Sequence, residues 1–154
     1  MARFLLIFIF ILSLIGAVDA GYLLVQTVSG KAVICPSIPV GRFNLNQCSV
    51  VLATSYAKFL GLPTAFYGLV AYLFFAILAL YALTEKWRNA VKLVLYLAGL
   101  GFLISLYFVY LQIFIIKALC FYCLISAANM ILIFIVSVAY NLRYSIRQPA
   151  DSGD

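Results

Sequence analysis

Cys120-Phe121-Tyr122-Cys123 sets two thiols three residues apart, a spacing that on a helix puts both side chains on nearly the same face. Sulfurs held this way can close a tight, exchangeable disulfide without moving the backbone, which suits redox work better than stapling a fold. The dipole and free N–H groups at a helix start favour the thiolate, and apolar surroundings oppose it. A second pair, Cys35 and Cys48, lies upstream. Four cysteines allow three pairings. Proximity favours Cys35 with Cys48 and Cys120 with Cys123, and two adjacent pairs could pass electrons by thiol–disulfide exchange. Two other readings remain open: four thiolates around zinc, although the usual two-knuckle spacing is missing, and two purely structural disulfides. The chain has no histidine, which excludes His-based metal sites and His-dependent nucleophilic catalysis. No glycine loop of the phosphate-cradling kind is present. The chemistry on offer is that of sulfur, and no residue is assigned to a metal.

The elements that must carry these sulfurs are helices in a membrane. Hydrophobic residues make up 68% of the 154 positions and charged ones 9%, against roughly 25% charged in an average soluble domain. Phe59–Thr84, Leu93–Ile116 and Ala118–Leu142 lack any charge, and each reaches the ~20 residues that cross a bilayer as helix. Phe4–Val28 is interrupted only by Asp19. The expected fold is an all-α membrane protein, a four-helix bundle with spans near 4–28, 63–84, 91–116 and 118–142. These spans and the outer loop 29–62 form one membrane domain over 1–142, followed by a cytoplasmic tail at 143–154. The loop is punctuated by Gly30, Pro36, Pro39, Gly41, Gly61 and Pro63. Within it, Leu52, Tyr56, Phe59 and Leu60 recur at helical spacing, predicting a short amphipathic half-helix over 49–60 that caps the bundle from the interface. Thr84–Asn89 reads as a tight charged turn with an interfacial Trp87.

The net charge of +6 is scattered among loops and termini and forms no single basic patch, so nucleic acid is not an expected partner. It reads instead as topology. Cytoplasmic termini put Arg3, Lys86, Arg88, Lys92, Arg143 and Arg147 inside and Lys31, Arg42, Lys58 and Lys117 outside, the bias of the positive-inside rule. All four cysteines then lie on the extracytoplasmic side of the plasma membrane, where disulfides persist. Met1–Ala20 also resembles a cleavable secretory signal, but Gly21–Val28 continues the apolar run to spanning length. Asp19, the one ionisable group inside a span, is either functional or a protonated or water-facing group near the helix end.

Several separated segments carry a family resemblance: Cys35-Pro36, Cys48 through Ala57, Gly61-Leu62-Pro63, Gly68, Tyr110-Leu111-Gln112, and Cys120-x-x-Cys123-x-x-Ser126-Ala127. In order and largely in spacing, from about Gly16 to Asn129, the chain resembles the vitamin K epoxide reductase family, most closely its bacterial and archaeal members without a fused thioredoxin domain. The resemblance implies a four-helix bundle around a quinone pocket with a loop cysteine pair above it. It implies that Cys35 receives electrons from an extracytoplasmic thioredoxin-like partner, that Cys48 exchanges with Cys120, and that Cys123 faces a quinone of the ubiquinone, menaquinone or vitamin K type. The enzyme so implied couples quinone reduction to disulfide formation outside the cell.

Three features depart from the family pattern. The gap between Cys35 and Cys48 is longer than usual, Thr54 stands where a serine is common, and Ala127 replaces a tyrosine of the animal enzymes. The resemblance therefore bears on quinone reduction and not on vitamin K epoxide or coumarin-type inhibitors. Thr54, Thr64, Gln112 and Asn129 are the candidate quinone contacts, with helix-to-helix hydrogen bonding as the competing role for the polar groups inside spans. Two rivals remain. One is the other quinone-linked disulfide-generating family, whose C-x-x-C follows the first span. The second is a non-enzymatic scaffold or transporter subunit with two structural disulfides.

Overall fold

The computed structural model describes residues 2–40, 43–85 and 88–147. Four helices are long and apolar enough to cross a membrane: α1 (Ala2–Ser29), α3 (Thr64–Glu85), α4 (Arg88–Tyr110) and α5 (Phe121–Arg147). A short α2 (Cys48–Ala53) and two small hairpins, β1 (Pro39–Val40) with β2 (Phe43–Asn44) and β3 (Lys58–Phe59) with β4 (Leu62–Pro63), fill the connection between α1 and α3. Part of the expected Thr84–Asn89 turn, including Trp87, lies outside the described residues, as does the tail from residue 148.

The bundle is built on close approach. α1 packs most extensively on α3, and also on α5, which in turn packs on α4. Gly16 is needed where α1 meets its neighbours, because a Cβ there would lie 2.5 Å from Tyr72 Cδ1 and 2.6 Å from Asn129 Nδ2. Ile9, Leu12, Ala79, Ala98 and Ile133 fill the centre. The outward faces remain apolar, with Val18, Ile77 and Leu103 exposed to the surroundings, as suits helices whose solvent is lipid. Polar hydroxyls inside the spans are satisfied locally: Ser13 and Ser137 donate to the carbonyls of Ile9 and Ile133 one turn back, at 2.8 and 2.7 Å. Such back-bonding removes the cost of a bare donor where no water is present.

Helix ends at the loop side are chemically specified. Gly30 closes α1 with φ +63°, and the bonds Lys31 N–H to Gln26 O and Gly30 N–H to Thr27 O form the paired closure that a left-handed glycine permits. α4 widens into a π-helical turn at Leu111–Ile116, which Lys117 ends in the left-handed region at φ +55°. The Gln112 carbonyl accepts from both Lys117 and Ala118 N–H.

The capping half-helix is shorter than its periodicity predicts. It ends at Ala53, because Thr54 is extended and turns its hydroxyl back onto Val51 O at 2.7 Å, a local bond that competes with helix continuation. A 3-10 turn follows at Ser55–Ala57, then the β3–β4 hairpin. Its two-residue loop, Leu60-Gly61, has φ +51° and +81°, the double positive of a type I′ turn. The apolar spacing that mimics a helix here is produced by a turn and a hairpin lying on the same surface.

Candidate active site

The loop and the start of α5 converge at one end of the bundle. Cys48, the first residue of α2, and Cys120 are both fully buried in a cluster with Leu23, Val33, Val51 and Ala118, against which Cys35 and Cys123 pack. Two ties fix the loop there: Asn46 pairs with Cys120 in an isolated antiparallel bridge, and Tyr122 Oη donates to Ile34 O at 3.4 Å. The Tyr22 and Tyr122 rings, 5.1 Å apart, join the end of α1 to the same point.

Within this cluster the sulfurs differ. Cys35 and Cys48 are disulfide-bonded with Cα atoms 6.3 Å apart, inside the range that a disulfide spans without backbone movement. Cys120 and Cys123 are free. The four-thiolate reading is thereby replaced by one closed pair and one open pair, and among the described residues no group of three or more potential ligands converges. Cys120 is the N-cap of α5: its carbonyl accepts from Leu124 N–H at 3.1 Å, and its Sγ accepts from Cys123 N–H at 3.3 Å. A side chain that accepts from the third residue of a helix is the ordinary capping geometry, performed here by sulfur. Hydrogen bonding from the Cys123 side chain and backbone lowers the Cys120 pKa, against the opposing effects of burial and of the Asp19 charge.

Beside the sulfurs lies a cavity of about 690 Å³, bounded by α1, α2, α3, α4 and α5, a size that takes one small-molecule ligand. Tyr56, Phe59, Tyr67, Tyr72, Tyr107 and Phe108 supply an aromatic wall. Of the four cysteines, only Cys123 lines it. Thr54, Thr64 and Gln112 line it, and Asn129 does not. Asn129 is buried behind the wall, where its Nδ2 donates to Leu12 O at 2.8 Å, a helix-to-helix hydrogen bond. Gln112 is buried, and its Oε1 accepts from Cys120 N–H at 3.1 Å. That bond positions Cys120, and the same side chain borders the cavity.

Four of the hydroxyl hydrogens at the wall are committed to backbone carbonyls. Thr54 donates to Val51, Thr64 to Ala57 at 3.2 Å, Tyr67 to Phe59 at 3.1 Å and Tyr72 to Ser126 at 2.8 Å. A hydroxyl has a single hydrogen, so in this state Thr54 and Thr64 present only acceptor lone pairs to the cavity. Sequence reasoning passed over Tyr72 and Ser126 as contacts. The usable signal was spacing, since Ser126 follows Cys123 by three residues and shares its face of α5.

The Vitamin K epoxide reductase family matches residues 7–138, most of the chain. The chain belongs to this family. No curated protein matches it. Family membership, the four spanning helices and the loop disulfide together make this a multi-pass membrane redox enzyme of the vitamin K epoxide reductase type. Members of this family work with quinones and thiol partners.

Proposed function

We propose that the protein reduces a membrane quinone bound in the cavity, using electrons that a thioredoxin-like partner delivers to the loop cysteines. The carrying observation is the order of the sulfurs. Cys123 alone meets the cavity, Cys120 shares a buried cluster with Cys48, and Cys35 completes the outer pair. The partner's dithiol reduces Cys35–Cys48, and the freed Cys48 thiolate attacks Cys120 of a closed Cys120–Cys123 disulfide. Opening that bond releases Cys123 as the thiolate beside the quinone.

Cys35 then attacks Cys48, which re-forms the loop disulfide and releases Cys120; with both inner thiols reduced, Cys123 is the sulfur that meets the quinone, and Cys120 is the nucleophile that closes the disulfide. The capping N–H that favours the Cys120 thiolate suits that second step. Two electrons and two protons leave the dithiol, one S–S bond forms, and the quinone gains the same two electrons and two protons as quinol. Gln112 Nε2 is the contact for one quinone oxygen, while Thr54 and Thr64 shape the wall.

Cytoplasmic termini and extracytoplasmic cysteines complete the reading. They rest on the bias of the basic residues and on the need of the loop pair for an oxidising compartment. The coupled outcome is disulfide formation in proteins outside the membrane. The free thiols of Cys120 and Cys123 count against a scaffold held by two structural disulfides.

The test is quinone reduction by the purified protein in detergent with a reduced thioredoxin-like dithiol protein as donor. Cys123→Ala is expected to abolish turnover, and Cys48→Ala to trap a mixed disulfide between Cys35 and the donor. Undiminished quinone reduction by Cys123→Ala refutes the assignment.

A further inference from the structure

We infer that the Ser126 hydroxyl is a hydrogen-bond donor to the quinone oxygen that becomes negative during reduction, an assignment that rests on the quinone reading above. The argument is a count of hydrogens. Tyr72 Oη lies 2.8 Å from Ser126 O and 3.0 Å from Ser126 Oγ. The carbonyl has no hydrogen to give, so the single Tyr72 hydrogen goes to it. The contact between the two hydroxyls must then be donated by Ser126. Thr54, Thr64, Tyr67 and Tyr72 each have their one hydrogen on a main-chain carbonyl; Ser126 carries the cavity hydroxyl that shares α5 with Cys123, its hydrogen rests on a phenol oxygen, and rotation of the hydroxyl alone redirects it. Both residues line the cavity.

Position favours the same residue. Ser126 is three residues beyond Cys123 on α5, a rise of about 4.5 Å along one face, so one quinone ring can reach the Cys123 sulfur and the Ser126 hydroxyl together. As the electron pair moves from the dithiol into the ring, charge grows on the carbonyl oxygens. A hydrogen bond to a charged oxygen is roughly twice as strong as one to a neutral oxygen, so the contact strengthens toward the transition state and contributes to rate as well as to binding. Ser126 keeps its proton throughout. The two protons of the quinol are balanced by the two lost from Cys120 and Cys123. Tyr72 is the positioning residue, because its oxygen holds the Ser126 hydroxyl toward the cavity before the quinone arrives.

The experiment compares wild type, Ser126→Ala and Ser126→Thr in oxidation of the reduced Cys120/Cys123 pair by two acceptors, a soluble methyl-naphthoquinone and hydroxyethyl disulfide. The second acceptor has no carbonyl oxygen to hold. Ser126→Ala is expected to lose on the order of a hundredfold in kcat with the naphthoquinone, the usual effect of removing one donor to a developing oxyanion, and nothing with the disulfide. Ser126→Thr, which keeps the hydroxyl, is expected to retain the wild-type ratio between the acceptors. The assignment is overturned if Ser126→Ala reduces the naphthoquinone as fast as wild type, if it loses equally on both acceptors, or if Ser126→Thr loses the ratio as Ser126→Ala does. Cys123→Ala run beside them separates the two failures. If that variant still reduces the naphthoquinone, the quinone reading itself falls; if it is inactive and Ser126→Ala is not, only the role of Ser126 falls.

Discussion

Replacing Gly16 by alanine drives a methyl group into two buried side chains that hydrogen bonds hold in place. The new Cβ would lie 2.5 Å from Tyr72 Cδ1 and 2.6 Å from Asn129 Nδ2, whereas non-bonded carbons prefer about 3.5–4.0 Å. Tyr72 is 1% exposed and tied to Ser126 O, and Asn129 is 5% exposed and tied to Leu12 O. Forced repacking of this kind costs about 1–3 kcal/mol, and withdrawing Asn129 from Leu12 adds about 0.5–1.5 kcal/mol. Alanine returns about 0.5–1 kcal/mol through its better helix propensity, leaving a net loss of about 2 kcal/mol. For a chain of this size that lowers the unfolding midpoint by roughly 4–8 °C.

The assay is thermal unfolding in detergent, followed by a thiol-reactive dye that reports exposure of the buried Cys120. Gly101→Ala is the internal control. Its Cβ would press on Met130 Sδ at 2.8 Å, but Met130 is flexible and both residues border the cavity, so the thioether can swing aside at little cost. If Gly16→Ala and Gly101→Ala unfold at the same temperature, the tight contact between α1 and the Tyr72–Asn129 layer is refuted.

Two further outcomes concern Cys120. Its lowered pKa means that the folded protein holds a thiolate at pH values where the unfolded chain is protonated. The resulting stabilisation is complete above the unfolded thiol pKa and fades as pH falls through the folded one. Thiolate absorbance of wild type minus Cys120→Ser is expected to titrate below the ordinary thiol range, and a midpoint at or above that range contradicts stabilisation of the Cys120 thiolate by the Cys123 side chain and backbone N–H. Gln112→Leu strands the buried Cys120 N–H, at a cost of about 1–3 kcal/mol, and slows quinone reduction. Gln112→Glu keeps the acceptor and is expected to preserve the unfolding midpoint, with calorimetry or dye unfolding as the measure.

The membrane class, the four spans and the family were legible because they rest on long apolar runs and on cysteines at separated positions. Finer features depended on contacts that no one-dimensional pattern carries. The spacing of Leu52, Tyr56, Phe59 and Leu60 satisfies a helix template, yet positive φ at Leu60 and Gly61 makes a hairpin there. Asn129 looked like a ligand contact because it shares α5 with Cys123, but only the packed bundle shows Leu12 O as its partner. Residue type makes Thr54 and Thr64 candidate contacts, whereas what each hydroxyl can donate depends on which carbonyl lies within reach. Ser126 was overlooked for the converse reason, since its hydrogen is redirectable only because Tyr72, 54 residues away in sequence, already serves its carbonyl.

The link between α4 and α5 sets which part of the relay is anvil and which is hammer. Only Lys117–Cys120 separates the π-helical turn from α5, and Gln112 clasps Lys117, Ala118 and Cys120 through its main-chain and side-chain oxygens. With so little slack the inner pair is held in place, so in the proposed relay the loop pair is the one that meets a partner protein. Lengthening the stretch between Gly30 and Gln47 is then a tolerable experiment of evolution, while one residue added between Lys117 and Cys120 would swing the sulfurs off their target.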